Sequence, residues 1–101
     1  MDEQRAVAEF VDRNDLHAPP TFRLLDLVSE LGEVAKDVNE STGYGTAPDD
    51  VDVSTDEIGD VLFALLALAE QLDIDAGEAL DVALDKYEQR METRETPGSG
   101  A

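Results

Sequence analysis

The sequence contains no cysteine and a single histidine, His17. Disulfide bonds and thiolate metal sites are therefore excluded, and zinc, copper and histidine-containing di-iron sites have no support. The longest apolar run, residues 61–69, is far shorter than the roughly 20 residues that a membrane span needs. Residues 1–20 carry acids throughout and no apolar signal-peptide core. These absences predict a soluble protein of the cytoplasm with no membrane partner.

Positive charge is also scarce, with 7 lysines and arginines against 25 acidic residues and a formal net charge of -18. Such a surface repels nucleic acids and anionic lipids, so we expect neither as a partner. Hydrophobic residues still make up 42% of the chain, and their helical periodicity favours a folded domain over disorder. The acidity resembles that of halophilic proteins, whose self-repulsion is screened where the Debye length falls to about 3 Å in ~1 M salt.

Hydrophobic periodicity predicts four helices and no strand, which makes the fold class all-α. The expected helices cover residues 3–15, 20 or 21 to between 39 and 42, 54 or 55 to about 72, and 76–94. Proline at residues 19–20 separates the first two helices, and Gly43 and Gly45 end the second. Asp75 is the expected N-cap of the fourth. We expect one helical domain over residues 1–95 and a flexible tail over residues 96–101.

The third predicted helix is apolar on nearly all sides. Val61, Leu62, Leu65 and Leu68 occupy one face, and Phe63 with its neighbours covers most of the rest. A helix of this kind is normally buried all round, which a chain of four helices cannot achieve alone. We therefore expect a homodimer or homotetramer with a helical-bundle core built on the second and third helices.

Two acidic doublets stand out, Glu30 with Glu33 and Glu57 with Asp60. Their i, i+3 spacing brings the members of each pair to one helix face, about 5–6 Å apart at Cβ. Carboxylates at the edge of an apolar face favour a shared divalent cation, and an all-oxygen site favours Mg²⁺ or Mn²⁺. Because Mg²⁺ usually keeps waters and recruits substrate phosphates, the doublets indicate a nucleotide or polyphosphate substrate.

Each doublet also has a structural interpretation. Ser54 and Glu57 fit a capping box, and acids in a first turn suit the helix dipole. Glu30 and Glu33 fit a solvated face in a chain where a quarter of the residues are acidic. Spacing alone leaves both interpretations open for each pair.

The doublets and their surroundings resemble the MazG-like all-α nucleoside triphosphate pyrophosphohydrolases, whose signature is ExxE followed after a spacer by ExxD. The resemblance covers about residues 7–92. Residues 27–35 (LVSELGEVA) and 56–63 (DEIGDVLF) carry it most clearly. Other similarities point to the dCTP-pyrophosphatase branch of the family, and they lie at residues 68–75 (LAEQLDID), Ala79 and Lys86, and upstream at Arg13, His17 and Pro19.

The resemblance implies roles for particular residues. Glu30, Glu33, Glu57 and Asp60 would bind Mg²⁺, with Mn²⁺ as an alternative, and one of these carboxylates, unassigned, would be the general base. The substrate-binding residues would be Lys86, Arg90 and His17. The implied reaction converts a nucleoside triphosphate to the monophosphate and pyrophosphate. Two alternatives remain, a non-catalytic acidic helical dimerisation module and a hydrolase of another phosphorylated nucleotide derivative.

Overall fold

A computed structural model of the protein describes residues 1–93 and has four α-helices in that range. They are α1 (Asp2–Arg13), α2 (Pro20–Ser41), α3 (Thr55–Gln71) and α4 (Ala76–Glu92), with a short 3-10 turn at Pro48–Asp50. The described part contains no strand, which confirms the all-α prediction. None of these helices combines the length and apolarity needed to cross a membrane. The predicted tail at residues 96–101 lies outside the described residues.

The ends of the helices follow local chemistry. Ser54 Oγ accepts the Glu57 N–H at 3.2 Å, and Asp75 Oδ1 accepts the Glu78 N–H at 3.1 Å, so both predicted N-caps are confirmed. The end predicted for the first helix was wrong by two residues. The helix stops at Arg13 because Asp15 adopts a left-handed conformation with φ 53°, which no α-helix can continue.

Packing in the single chain centres on α3. Helix α2 packs along α3, and α1 packs on α3 as well, with Phe10 and Phe63 edge to face at 5.9 Å between ring centroids. Gln4 ties α1 to the turn between α3 and α4. Its buried amide donates to Glu70 Oε2 and the Ile74 carbonyl and accepts the Ala76 N–H, at 3.0, 2.8 and 2.7 Å. Helix α4 makes only sparse contact with the other helices.

The hydrophobic core of one chain is thin. Within residues 1–93 its buried apolar residues are Val11, Ala64, Leu66 and Ala67. Helix α3 is therefore not enclosed within one chain, as about half of each of several large side chains is exposed. The radius of gyration, 16.4 Å, exceeds the roughly 13 Å of a compact chain of 100 residues. The exposed large apolar side chains on the three longer helices are Phe22, Leu24, Leu25, Val28 and Leu31 (α2), Ile58, Leu62 and Leu65 (α3, followed by Leu72 just after its end), and Leu80, Val82, Leu84 and Met91 (α4).

Candidate active site

The contact between α2 and α3 brings the two predicted doublets together. Glu30 on α2 has Asp60 of α3 among the charges that act on it, and Glu57 on α3 has Glu33 of α2 among its own. The doublets therefore form one group across the helix pair. We call this group the acidic cluster, and its members are Asp26, Glu30, Glu33 and Asp37 from α2 and Asp56, Glu57 and Asp60 from α3.

Glu57 is the most perturbed member of the acidic cluster. A hydrogen bond between its carboxyl group and that of Asp37, burial, and the nearby charges of Asp37, Glu33 and Asp60 raise the pKa of Glu57 to about 7. Its Oε2 atom is buried and has no hydrogen-bond partner. An unpartnered buried carboxylate oxygen is costly, and a bound cation or a proton would remove that cost.

Glu30 also has a raised pKa. Burial raises the pKa of Glu30, and the charges of Asp60, Asp26, Glu33 and Asp56 add to this effect. Like charges at short range disfavour ionisation. The charged groups that raise the pKa of Glu30 and Glu57 are all carboxylates, and no basic side chain of residues 1–93 forms an ion pair with a member of the cluster.

The donor set suits a hard divalent cation. All members offer carboxylate oxygens, which Mg²⁺ and Mn²⁺ prefer, and the cluster lacks the imidazole or thiolate ligands that favour zinc or copper. In the described residues, however, no three carboxylate or imidazole side chains converge closely enough to hold an ion as they stand. The residues therefore fit Mg²⁺ in chemistry and location, and binding would require their side chains to rotate towards a common point.

The three predicted substrate-binding residues lie elsewhere in the single chain. Lys86 Nζ lies 5.1 Å from the ring centroid of Tyr87, and neither Lys86 nor Arg90 forms an ion pair within residues 1–93. His17 Nε2 lies 2.9 Å from Asp12 Oδ1, and both line a cavity of about 280 Å³ between α1 and the C-terminal part of α3. None of the three is among the charges that act on Glu30 or Glu57.

Comparison with known proteins places this arrangement in a family. The MazG nucleotide pyrophosphohydrolase domain matches residues 20–95, a range that contains both doublets. The chain belongs to this family.

A curated MazG relative is YpjD from Bacillus subtilis (strain 168), a protein that is itself uncharacterized. It is 41% identical over 81 residues, which cover 76% of this chain and 71% of YpjD. A crystal structure of Bacillus subtilis YpjD, to which a pyrophosphatase activity is ascribed, superposes with a TM-score of 0.72 at 37% identity. The match covers 88% of this chain and 92% of that one.

Asp37 of the acidic cluster and Arg23, further along the same face of α2, were not among the predicted site residues. Asp37 lies on the same face of α2 as Glu30 and Glu33, which was a usable signal, but its hydrogen bond to Glu57 depends on how α2 packs on α3. Arg23 begins the same face and is buried. Its Nη2 donates to the Leu16 carbonyl and its Nε has no partner, so it anchors the segment that carries His17.

Proposed function

We propose that the protein is a Mg²⁺-dependent nucleoside triphosphate pyrophosphohydrolase that cleaves between the α and β phosphates. The observation that supports this most is the acidic cluster, in which the buried Oε2 of Glu57 has no partner and no basic side chain of residues 1–93 forms an ion pair with the carboxylates. In a MazG chain of net charge -18, a polyanionic substrate needs a cation to bring it to this surface.

The proposed roles follow from the chemistry of each group. Glu30, Glu33, Glu57 and Asp60 would hold Mg²⁺, which supplies positive charge for the phosphates and lowers the pKa of bound water. One carboxylate of the cluster takes the proton from the attacking water. The water oxygen then bonds to the α-phosphorus, the bond from that phosphorus to the bridging oxygen breaks, and pyrophosphate leaves.

Substrate binding would also involve Lys86, Arg90 and His17. Lys86 and Arg90 offer cations for the triphosphate from one face of α4. In one chain α4 contacts the rest only sparsely, so these cations need a further contact to reach a phosphate at the cluster. A second copy of the chain is the proposed source of that contact.

Homo-oligomerisation is the second part of the proposal. The exposed apolar side chains of α2, α3 and α4 and an apolar cavity of about 380 Å³ between α3 and α4 are left uncovered in one chain. Covering such surface is favourable at about 25 cal/mol per Å². A dimer or a tetramer would bury these faces and make α3 the enclosed helix that its sequence predicts.

The test is turnover of a panel of ribo- and deoxyribonucleoside triphosphates with Mg²⁺. Glu33→Gln and Asp60→Asn remove a charge from the cluster at nearly unchanged size, and we expect losses of 100-fold or more, roughly the cost of one strong electrostatic contact in the transition state. Ser54→Ala is the matched control, because it removes the helix cap beside Glu57 and leaves every carboxylate in place. It should keep near-normal turnover.

Other results would favour the alternatives. Turnover of no triphosphate, together with an unchanged melting temperature in Mg²⁺, would indicate a non-catalytic module. Activity on another phosphorylated nucleotide derivative alone would indicate that this derivative, and not a nucleoside triphosphate, is the substrate. Full activity in Glu33→Gln or Asp60→Asn would contradict the metal roles.

A further inference from the structure

The segment that follows α2 contains three successive residues in the left-handed region. Gly43, Tyr44 and Gly45 have φ values of 59°, 57° and 91°. Glycine adopts such angles at little cost, whereas a bulky aromatic residue is strained there. Tyr44 therefore occupies a position that glycine would occupy more easily.

Hydrogen bonds hold this strained turn in place. The Tyr44 N–H donates to the Asn39 carbonyl at 2.7 Å, and the Ala47 N–H donates to the Thr42 carbonyl at 2.8 Å. The buried Thr42 hydroxyl donates to the Val38 carbonyl at 2.6 Å and accepts the Gly45 N–H at 3.2 Å. Tyr44 is thus presented by an ordered turn.

The Tyr44 side chain contributes little to the packing of the chain. It is 79% exposed, more than any other large apolar or aromatic side chain in residues 1–93. Among the other aromatic rings, Phe10 and Phe63 pack on each other and Tyr87 lies beneath Lys86, whereas Phe22 on α2 is also exposed but less so, at 60%. Strain kept in a residue with no packing role is a feature of functional positions.

The turn lies at the end of the α2–α3 pair where Asp37 and Glu57 meet. Asp37 precedes the last residue of α2 by one helical turn, about 6 Å along the axis. The Asp52 N–H donates to Ser41 Oγ at 2.9 Å and holds the following segment against the end of α2. A cavity of about 260 Å³ opens there, lined by Asp37, Glu40, Ser41, Asp52 and Ser54.

We propose that Tyr44 supplies the aromatic face on which the base of the bound nucleotide stacks. This inference rests on the proposed function, because a triphosphate held at the acidic cluster carries its base away from the metal-bound phosphates towards the rim of the site. Stacking on an aromatic ring suits any nucleobase, since every base has a π-face. Tyr44 would therefore strengthen binding of nucleotides as a class more than it selects one base.

Kinetic comparison of Tyr44→Phe and Tyr44→Gly tests the role. Tyr44→Phe keeps the ring and should retain the KM of the wild type. Tyr44→Gly removes the ring, so we expect a KM for nucleoside triphosphates raised about tenfold with kcat within about twofold. The relief of the strained φ is offset by the greater freedom of glycine in the unfolded chain, so the melting temperature should change little. Inhibition by inorganic tripolyphosphate, which has no base, should not change.

Fluorescence gives a readout that does not depend on turnover. The chain has no tryptophan and two tyrosines, so in Tyr87→Phe the emission comes from Tyr44 alone. A nonhydrolysable α,β-methylene triphosphate added with Mg²⁺ should quench that emission, and tripolyphosphate should not. Tyr44→Phe, which retains Tyr87, corrects for light absorbed by the nucleotide.

The outcomes separate this inference from the proposed function. The inference would be overturned, while the proposed activity stands, if Tyr44→Gly had an unchanged KM or if nucleotides did not quench the Tyr44 emission. It would also be overturned if inhibition by tripolyphosphate weakened in Tyr44→Gly as much as nucleotide binding did. Quenching by the nucleotide in a protein that hydrolyses no triphosphate would support the stacking role and contradict the proposed reaction. A lower melting temperature and a normal KM in Tyr44→Gly would indicate a purely structural turn.

Discussion

Asp37 and Glu57 approach each other across the contact of α2 with α3, closely enough for a protonated carboxyl group of Glu57 to donate a hydrogen bond to Asp37. Such a bond requires a proton on one of the two groups, because two carboxylates have no donor between them. The pKa of Glu57 is raised to about 7 as a result. A proton on Glu57, or the cation of the proposed function, would relieve the repulsion between these carboxylates.

This relationship predicts how the stability of the metal-free protein varies with pH. Glu57 has a folded pKa of about 7 against an ordinary value of 4.5, so the folded protein binds more protons than the unfolded chain between these values. The free energy of unfolding should then fall as pH rises through that window. Urea denaturation in EDTA at constant KCl measures it.

Glu57→Gln provides the comparison for this pH effect. The amide does not titrate, so the decrease in stability across the window should be clearly smaller than in the wild type. Glu3→Gln, an exposed change on α1, should leave the decrease as it is. A wild-type stability that rises across the window would contradict the shared proton.

Magnesium should raise the melting temperature strongly. A ligand at 100 times its dissociation constant stabilises a folded protein by about 2.7 kcal/mol, which corresponds to roughly 10–20 °C for a domain of this size. Glu33→Gln and Asp60→Asn should lose most of this shift, whereas Glu3→Gln should keep it. Thermal scans in multimolar KCl distinguish Mg²⁺ binding from general screening of the negative charge. Equal shifts in the wild type and the three variants would argue against a specific site.

The exposed apolar faces predict the oligomeric state. Leu31→Glu and Leu62→Glu introduce a charge where α2 and α3 are uncovered, and we expect light scattering to report single chains or unfolded material. Val51→Glu changes an equally exposed apolar residue in the segment between the two helices and should keep the oligomer. A wild-type protein with the 10.9 kDa mass of one chain would contradict this prediction.

Salt should stabilise the protein well beyond the effect of Mg²⁺. The net charge of -18 repels itself over a Debye length of about 10 Å at 0.1 M salt, which falls to about 3 Å at 1 M. The melting temperature in EDTA should therefore rise steadily with KCl. Equal stability in dilute buffer and in multimolar KCl would contradict the halophilic interpretation.

Much of this architecture could be predicted from local sequence. Apolar periodicity indicated the four helices, and short-range chemistry indicated the N-caps at Ser54 and Asp75, because each depends on groups three residues apart. The joining of the two doublets was also predictable, since each lies at the edge of an apolar face. In contrast, the approach of the Glu57 carboxyl group to Asp37 depends on the rotation and register of packed helices.

Other features needed long-range information. Gln4 is buried because its amide meets three groups far along the chain, near Glu70 and Ala76, and no periodicity indicates that. Burial of Arg23 likewise depends on where the segment after α1 turns. The left-handed φ of Tyr44 could not be predicted from the sequence, because the neighbouring Gly43 and Gly45 are sufficient to explain why α2 ends.

The identity of the products shows which phosphoanhydride bond the protein cleaves. We would incubate the wild-type protein with a nucleoside triphosphate and Mg²⁺ in high salt and follow the reaction by ³¹P NMR, with Glu57→Gln and Ser54→Ala beside it. We expect nucleoside monophosphate and pyrophosphate from the wild type and Ser54→Ala, and almost none from Glu57→Gln. Nucleoside diphosphate and orthophosphate, or equal rates in all three proteins, would contradict it.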